Sequence, residues 1–167
     1  ERLSEHMAKI EARAATETQK QAVAAFRTAM TQAINARRTA VDQAVNAFHG
    51  TVGQLVAQRK TTIDQAISAA KSAKQAAFDK AKTDCAASVD ARTVRENLVA
   101  AIKSTKDTFT ITVKAAQDAF RTSFEAAKNT KKAAFEKAHA DFKAALEKAK
   151  ADLKAVLGNT GSTSTTP

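Results

Sequence analysis

Apolar residues recur along the chain at eleven-residue intervals, and the first series runs Val23, Ile34, Val45, Val56, Ile67, Phe78 and Val89 without a gap. Eleven residues make three turns at about 3.67 per turn, close to the 3.6 of an α-helix, so such residues form one slowly drifting stripe. Steps of three and four fill the stripe in between, through Phe26, Met30, Val41, Phe48, Val52 and Ile63. The pattern predicts one long helix over residues 2–89. A second series, Ile102, Val113, Phe124, Phe135, Leu146 and Leu157, is accompanied four residues ahead by Leu98, Phe109, Phe120, Phe142 and Leu153. It predicts a second long helix over residues 94–157.

The wording repeats with the pattern. Met30-Thr-Gln-Ala-Ile-Asn-Ala, Val41-Asp-Gln-Ala-Val-Asn-Ala, Val52-Gly-Gln-Leu-Val-Ala-Gln and Ile63-Asp-Gln-Ala-Ile-Ser-Ala follow one another at the same interval. Internal duplication explains them most simply, and tandem short repeats belong to quasi-one-dimensional proteins in which each unit buries its stripe against neighbours.

The two series are out of phase. Between Val89 and Val94 the step is five rather than three or four, so the helix should reverse there. Thr93 followed by Glu96 reads as a capping box, with Asp90 as an alternative cap. The expectation is an all-α fold of long hendecad-repeat helices, an antiparallel helical hairpin with a turn over residues 90–93. It forms one elongated helical domain over residues 1–157, with roughly the first 25 residues overhanging, given about 1.5 Å rise per residue. A competing break lies at Gly50 and Gly53, since each glycine costs roughly 1 kcal/mol inside a helix, and would give a three-helix bundle instead. Continuity of phase from Val45 through Phe48 and Val52 to Val56 argues for a single helix. Residues 158–167, Gly-Asn-Thr-Gly-Ser-Thr-Ser-Thr-Thr-Pro, lose all charge and all large apolar side chains, and read as a flexible tail of the kind that often carries sugars in exported proteins.

Composition narrows the function classes. Much of the 44% apolar content is alanine, and Trp and Tyr are absent. Alanine favours helix and lets helices approach closely but buries little area, so the core is thin and self-association is expected. The core and assembly stripe comprises Val23, Ile34, Val45, Val56, Ile67, Phe78 and Val89 on the first helix. On the second it comprises Ile102, Val113, Phe120, Phe124, Phe135, Phe142, Leu146 and Leu153. Burial of Ile34, Val45, Val56 and Ile67 against Phe120, Phe124, Phe135 and Leu146 would close the hairpin. Ala116, Ala127, Ala138 and Ala149 form a row of their own, a candidate interface for another helix or for close packing within the hairpin. Arg37, Arg59, Lys74 and Lys131 interrupt the stripes, where they either snorkel or pair with acids on a neighbour.

Chemistry is sparse. His6, His49 and His139 stand far apart with no His or Cys at ligand spacing, and the Glu136-x-x-His139 spacing of di-iron bundles has no second copy. No Gly-rich phosphate loop occurs. The expectation is therefore no enzyme, no cofactor, no metal and no small-molecule substrate. Cys85 shares an eleven-residue register with Met30, Val41, Val52 and Ile63, which reads as a core position; as a lone cysteine it could also cross-link two subunits. Twenty-seven Lys and Arg against seventeen Asp and Glu give a net charge of +10, spread evenly over both halves. An even positive coat keeps a rod soluble or holds a polyanionic surface such as DNA or a cell-wall polymer. No run of about eighteen apolar residues occurs, so no transmembrane span and no signal peptide are expected.

Ala76-Ala-Phe78, Ala133-Ala-Phe135, Thr93-Val-Arg95 and Leu98-Val-Ala-Ala-Ile-Lys103 give the chain a recognisable style. It resembles exported Ala/Lys-rich helical proteins of ultrasmall candidate-phyla bacteria, which implies an extracellular or cell-surface location. In periodicity alone it is similar to desiccation-protective helical proteins and exchangeable apolipoproteins. The reading that unites these features is a non-enzymatic, self-assembling helical subunit of an extracellular filament or cell-surface rod. The alternatives are a basic module that binds DNA or another polyanion, and an amphipathic lipid-surface protein.

Overall fold

The computed structural model describes residues 2–12 and 14–158, with side chains at Glu5 and from Ala8 onward apart from Arg13. The Ser/Thr-rich stretch 159–167 lies outside the described residues. The fold is an all-α helical hairpin: a short α1 (Arg2–Glu11), then α2 (Glu17–Ala86, 70 residues) and α3 (Ala91–Gly158, 68 residues), the two long helices packing against each other.

α2 runs unbroken through Gly50 and Gly53, so the three-helix bundle with a turn there is not formed. A Cβ at either glycine would meet nothing within 4 Å. The glycines serve no close approach, and their helix-breaking cost is simply outweighed by a phase of apolar contacts that continues past them.

The break that does occur near the N-terminus was not expected. Thr16 and Gln19 form a reciprocal capping box: the Gln19 amide donates to Thr16 Oγ1 (3.2 Å), while Gln19 Oε1 accepts from the Thr16 amide (3.1 Å) and from the Ala15 amide (2.8 Å). These bonds satisfy donors that a helix start would otherwise leave unpaired, so α2 begins at Glu17 and the expected single helix over 2–89 is interrupted. Instead of overhanging as one helix with α2, the end of α1 turns onto it. Ile10 and Ala14 pack on the core around Val23, and Glu11 Oε1 meets Arg27 Nη1 at 3.4 Å.

The reversal at the other end of α2 falls at residues 87–90, slightly before the expected 90–93. The Val89 amide bonds to the Asp84 carbonyl (3.0 Å) and the Ser88 amide to the Cys85 carbonyl (3.1 Å), the paired bonds of a Schellman motif. Ser88 supplies the left-handed residue, with φ of 56°. Asp90, rather than Thr93, caps α3. Its carbonyl accepts the first helical bond, from the Val94 amide (3.0 Å), and its Oδ2 accepts from the Thr93 amide (3.0 Å) and Thr93 Oγ1 (3.2 Å). Glu96, freed from the expected capping box, pairs with Arg92 Nε at 2.9 Å.

Packing divides the chain into two compact units, one made of residues 1–47 and 130–167, the other of residues 48–129. In the first, Val23, Phe26, Ala149 and Leu153 form a buried cluster flanked by Ile10, Met30 and Leu157. In the second, Val94 is buried behind the turn, and Phe48 and Phe120 each lie 5.9 Å from the Phe124 ring. Most other large apolar side chains among the described residues are half-buried, as expected where a helix is shielded along one stripe only.

Two substitutions test these local arguments. Replacing both Gly50 and Gly53 by Ala should stabilise the fold by about 1–2 kcal/mol, since α2 is helical there and the space is open. Ser88→Gly should add about 0.5–1 kcal/mol by relieving the left-handed serine. Both gains are read as a higher midpoint in thermal or urea denaturation; a loss in the double variant would contradict a continuous α2.

Candidate functional site

The rows singled out in the sequence separate into shielded and uncovered ones. On α3 the expected stripe is shielded: Ile102, Val113, Phe120, Phe124, Phe135, Phe142 and Leu146 are half-buried and Leu153 is buried. On α2 the eleven-residue series is not the centre of the interface. Val23 is buried and Val45 half-buried, but Ile34, Val56, Ile67, Phe78 and Val89 are between 38% and 46% exposed.

The shielded positions of α2 are themselves rows at this interval: Val41, Val52 and Ile63; Ala44, Leu55 and Ala66; Phe48, Arg59 and Ala70. The Val45, Val56 and Ile67 row lies one residue, about 100°, round the helix from the Ala44, Leu55 and Ala66 row, and so stands at the rim of the shielded stripe. Val23 is buried because Ile10 and Ala14 pack on its cluster.

The alanine row of α3 is used inside the hairpin. Ala138 and Ala149 are buried and Ala116 and Ala127 half-buried. Small side chains on this row let the helix backbones come close. Two of the four cationic interruptions meet aromatic rings: the Arg37 guanidinium lies 5.6 Å from the centroid of Phe142, and that of Arg59 lies 4.5 Å from Phe120. Arg37 and Arg59 are two repeats apart, as are Phe120 and Phe142, so one eleven-residue rule on each helix places both pairs. Each contact contributes about 0.5–1 kcal/mol at such part-exposed sites. Lys74 is exposed and Lys131 half-buried.

Cys85 is exposed, which corrects its reading as a core position. Its row is half-buried at Met30, Val41, Val52 and Ile63 and exposed at Lys74 and Cys85. Among the described residues no three His, Cys, Asp or Glu side chains gather where a metal ion could be held. His49 tilts against Phe48, and Glu136 faces Lys132 at 3.9 Å. The outer faces carry ladders of ion pairs four residues apart, such as Lys80–Asp84 (2.9 Å), Lys137–Asp141 (2.7 Å) and Lys148–Asp152 (2.7 Å). Exposed pairs of this kind contribute only about 0.3–0.5 kcal/mol each.

Beside the interface of the second unit lie two shallow hollows. One, of about 120 Å³, is bounded by Leu55, Gln58 and Thr62 on α2 and by Ala116, Ala119 and Ser123 on α3. The other, of about 270 Å³, is bounded by Ala66, Ala69 and Ala73 and by Thr105, Thr108 and Thr112. Each lining residue of one is displaced by one eleven-residue repeat from its counterpart in the other. The second is larger because Ala66 and Ala70 stand where the first has Leu55 and Arg59. Val99 and Ile111 on α3 are exposed further still, at 59% and 68%. The sequence had pointed to the uncovered row on α2 but not to the hollows. The signal was present as the run Ala66, Ala69, Ala70 and Ala73 opposite Thr105, Thr108 and Thr112.

No helix among the described residues is long and apolar enough to cross a membrane. Comparison with protein-family models, with curated proteins and with solved structures gave no match.

The separation of shielded from uncovered positions predicts unequal stability effects. Phe26→Ala, in the buried cluster, should cost about 3–4 kcal/mol, while Phe78→Ala should cost less than about 1 kcal/mol. Urea denaturation of the two variants at low protein concentration reads the difference; equal losses would contradict the exposure of Phe78.

Proposed function

We propose that the chain is a non-enzymatic structural subunit, a helical hairpin that associates with copies of itself into an extracellular filament or cell-surface rod. The observation that carries this reading is the uncovered apolar row Val56, Ile67, Phe78 and Val89, repeated at the interval on which the whole sequence is built. A hairpin of two helices shields one stripe on each, and a leftover stripe of regular Val, Ile and Phe gains most by meeting another apolar surface. Contacts between different faces of identical subunits need not close, so they propagate into open assemblies. The Ser/Thr-rich C-terminal sequence and the resemblance to exported Ala/Lys-rich helical proteins support the location outside the cell.

A second reading rests on the net charge of +10. A basic helical module that coats DNA or another polyanion would bind through Lys and Arg, and the logarithm of its affinity would fall linearly with the logarithm of salt concentration. The two readings respond to salt in opposite ways. Apolar association should persist or strengthen as salt screens the positive coat.

Sedimentation velocity and electron microscopy across a hundredfold concentration range test the structural reading. The expected result is assembly that grows with concentration and survives 0.5 M salt. Monodisperse single hairpins throughout would overturn it, and salt-sensitive binding to DNA without self-association would favour the polyanion reading.

A further inference from the structure

We infer that subunits join laterally by inserting Ile67 and Phe78 of one copy into the two hollows of the next. The inference rests on the reading of the chain as a self-assembling subunit and names the surfaces that would do it.

Three observations within the unit of residues 48–129 point to a second copy as the occupant. First, period: Ile67 and Phe78 are one eleven-residue repeat apart, about 16 Å along a helix, and the hollows are displaced from each other by the same repeat on both α2 and α3. A partner without this period would seat one side chain and miss the other. Second, size: a cavity of about 150 Å³ accommodates a benzene ring. The hollow of about 270 Å³ therefore admits the Phe78 ring with room for its flanks, and the hollow of about 120 Å³ suits the smaller Ile67. Third, polarity: the larger hollow is lined by four alanines and Phe109, with Ser104, Thr105, Thr108 and Thr112 as its polar side chains. Thr105, Thr112 and their neighbour Thr110 each turn the hydroxyl onto the carbonyl four residues back, at 2.8–2.9 Å. With hydroxyls bonded to the helix, two of the lining threonines need no new partner when an apolar side chain arrives.

The placement of knobs and hollows decides what kind of assembly results. At about 100° per residue, Ala66, Ala69, Ala70 and Ala73 are centred about 110° around α2 from Ile67. Knobs and hollows therefore lie on different faces of the same hairpin and cannot satisfy each other within one chain or in a two-fold dimer. Each copy offers both, and the contact is heterologous and open-ended. Matching Ile67 to the smaller hollow and Phe78 to the larger one also sets the direction, with neighbouring α2 helices parallel.

The test uses two variants of the full chain with complementary defects. Phe78→Ala removes a knob and keeps the hollows; Ala69→Phe fills the larger hollow in place and keeps the knobs. Thr108→Leu fills the same hollow from α3 and serves if Ala69→Phe disturbs folding, judged by helicity and melting temperature. Each variant alone should remain monomeric at concentrations at least about tenfold above those at which the unaltered chain assembles, a tenfold change corresponding to about 1.4 kcal/mol. Mixed together they should form one-to-one dimers and nothing larger, because one intact knob set meets one intact hollow. If the unaltered chain assembles and both variants assemble equally well, or the mixture stays monomeric, these surfaces are not the contact, although the structural reading stands. If the unaltered chain never assembles, both fall.

Discussion

Two packed helices can cover only one stripe on each other, and the remaining organisation of this protein follows from which stripe is covered. α3 commits its alanine row, with Ala138 and Ala149 buried, and sets beside it, about 40–60° round the helix on the same side, Phe120, Phe142 and Leu153 and then Phe124, Phe135 and Leu146. The alanines bring the backbones together and the rings fill the space beside them, which is how a chain without Trp or Tyr and with few large side chains still holds a paired structure. α2 answers with a stripe that runs from Phe26 and Ala33 to Phe48, Leu55 and Ala66. Its most regular apolar series is left at the rim. On α2 the same eleven-residue period that builds the interface also spaces the uncovered Val56, Ile67 and Phe78, whereas Val99 and Ile111 on α3 stand exposed outside it.

Much of this was legible in the sequence because periodicity is a direct image of helix geometry. The all-α hairpin, the unbroken passage through Gly50 and Gly53, and the reversal near Val89 follow from phase alone. The finer details depended on competitions that phase does not decide. Asp90 and Thr93 both offered an N-cap, and the structure uses Asp90 because the Schellman turn at Ser88 leaves that residue at the helix start. The break before Glu17 was written as Thr16-x-x-Gln19, a capping box as clear as the one proposed at Thr93, but a phase reading that began at Val23 passed over it.

The α2 series was misassigned because several rows at the same interval run side by side, and the period alone does not say which of them faces α3. Val45, Val56 and Ile67 stand one residue, about 100°, from the shielded Ala44, Leu55 and Ala66 row. Val23 and Phe78 belong to one series in sequence and to different environments in the fold, because Ile10 and Ala14 pack on the Val23 cluster. Arg37 and Arg59 looked like interruptions and prove to be members of the interface, because a guanidinium over a ring shields apolar surface with its stem while its charge stays near water.

The central claim is that α2 and α3 of one chain pair antiparallel in this register, so that what lies outside the pair is available for partners. Isotope-filtered NOE spectroscopy on a one-to-one mixture of labelled and unlabelled chains at low concentration tests it most directly. Phe48 and Phe124, with ring centroids 5.9 Å apart, should show strong contacts within a chain and none between chains. Contacts seen only between chains would mean that the long helices pair with those of another molecule, and the division into shielded and uncovered rows would no longer hold.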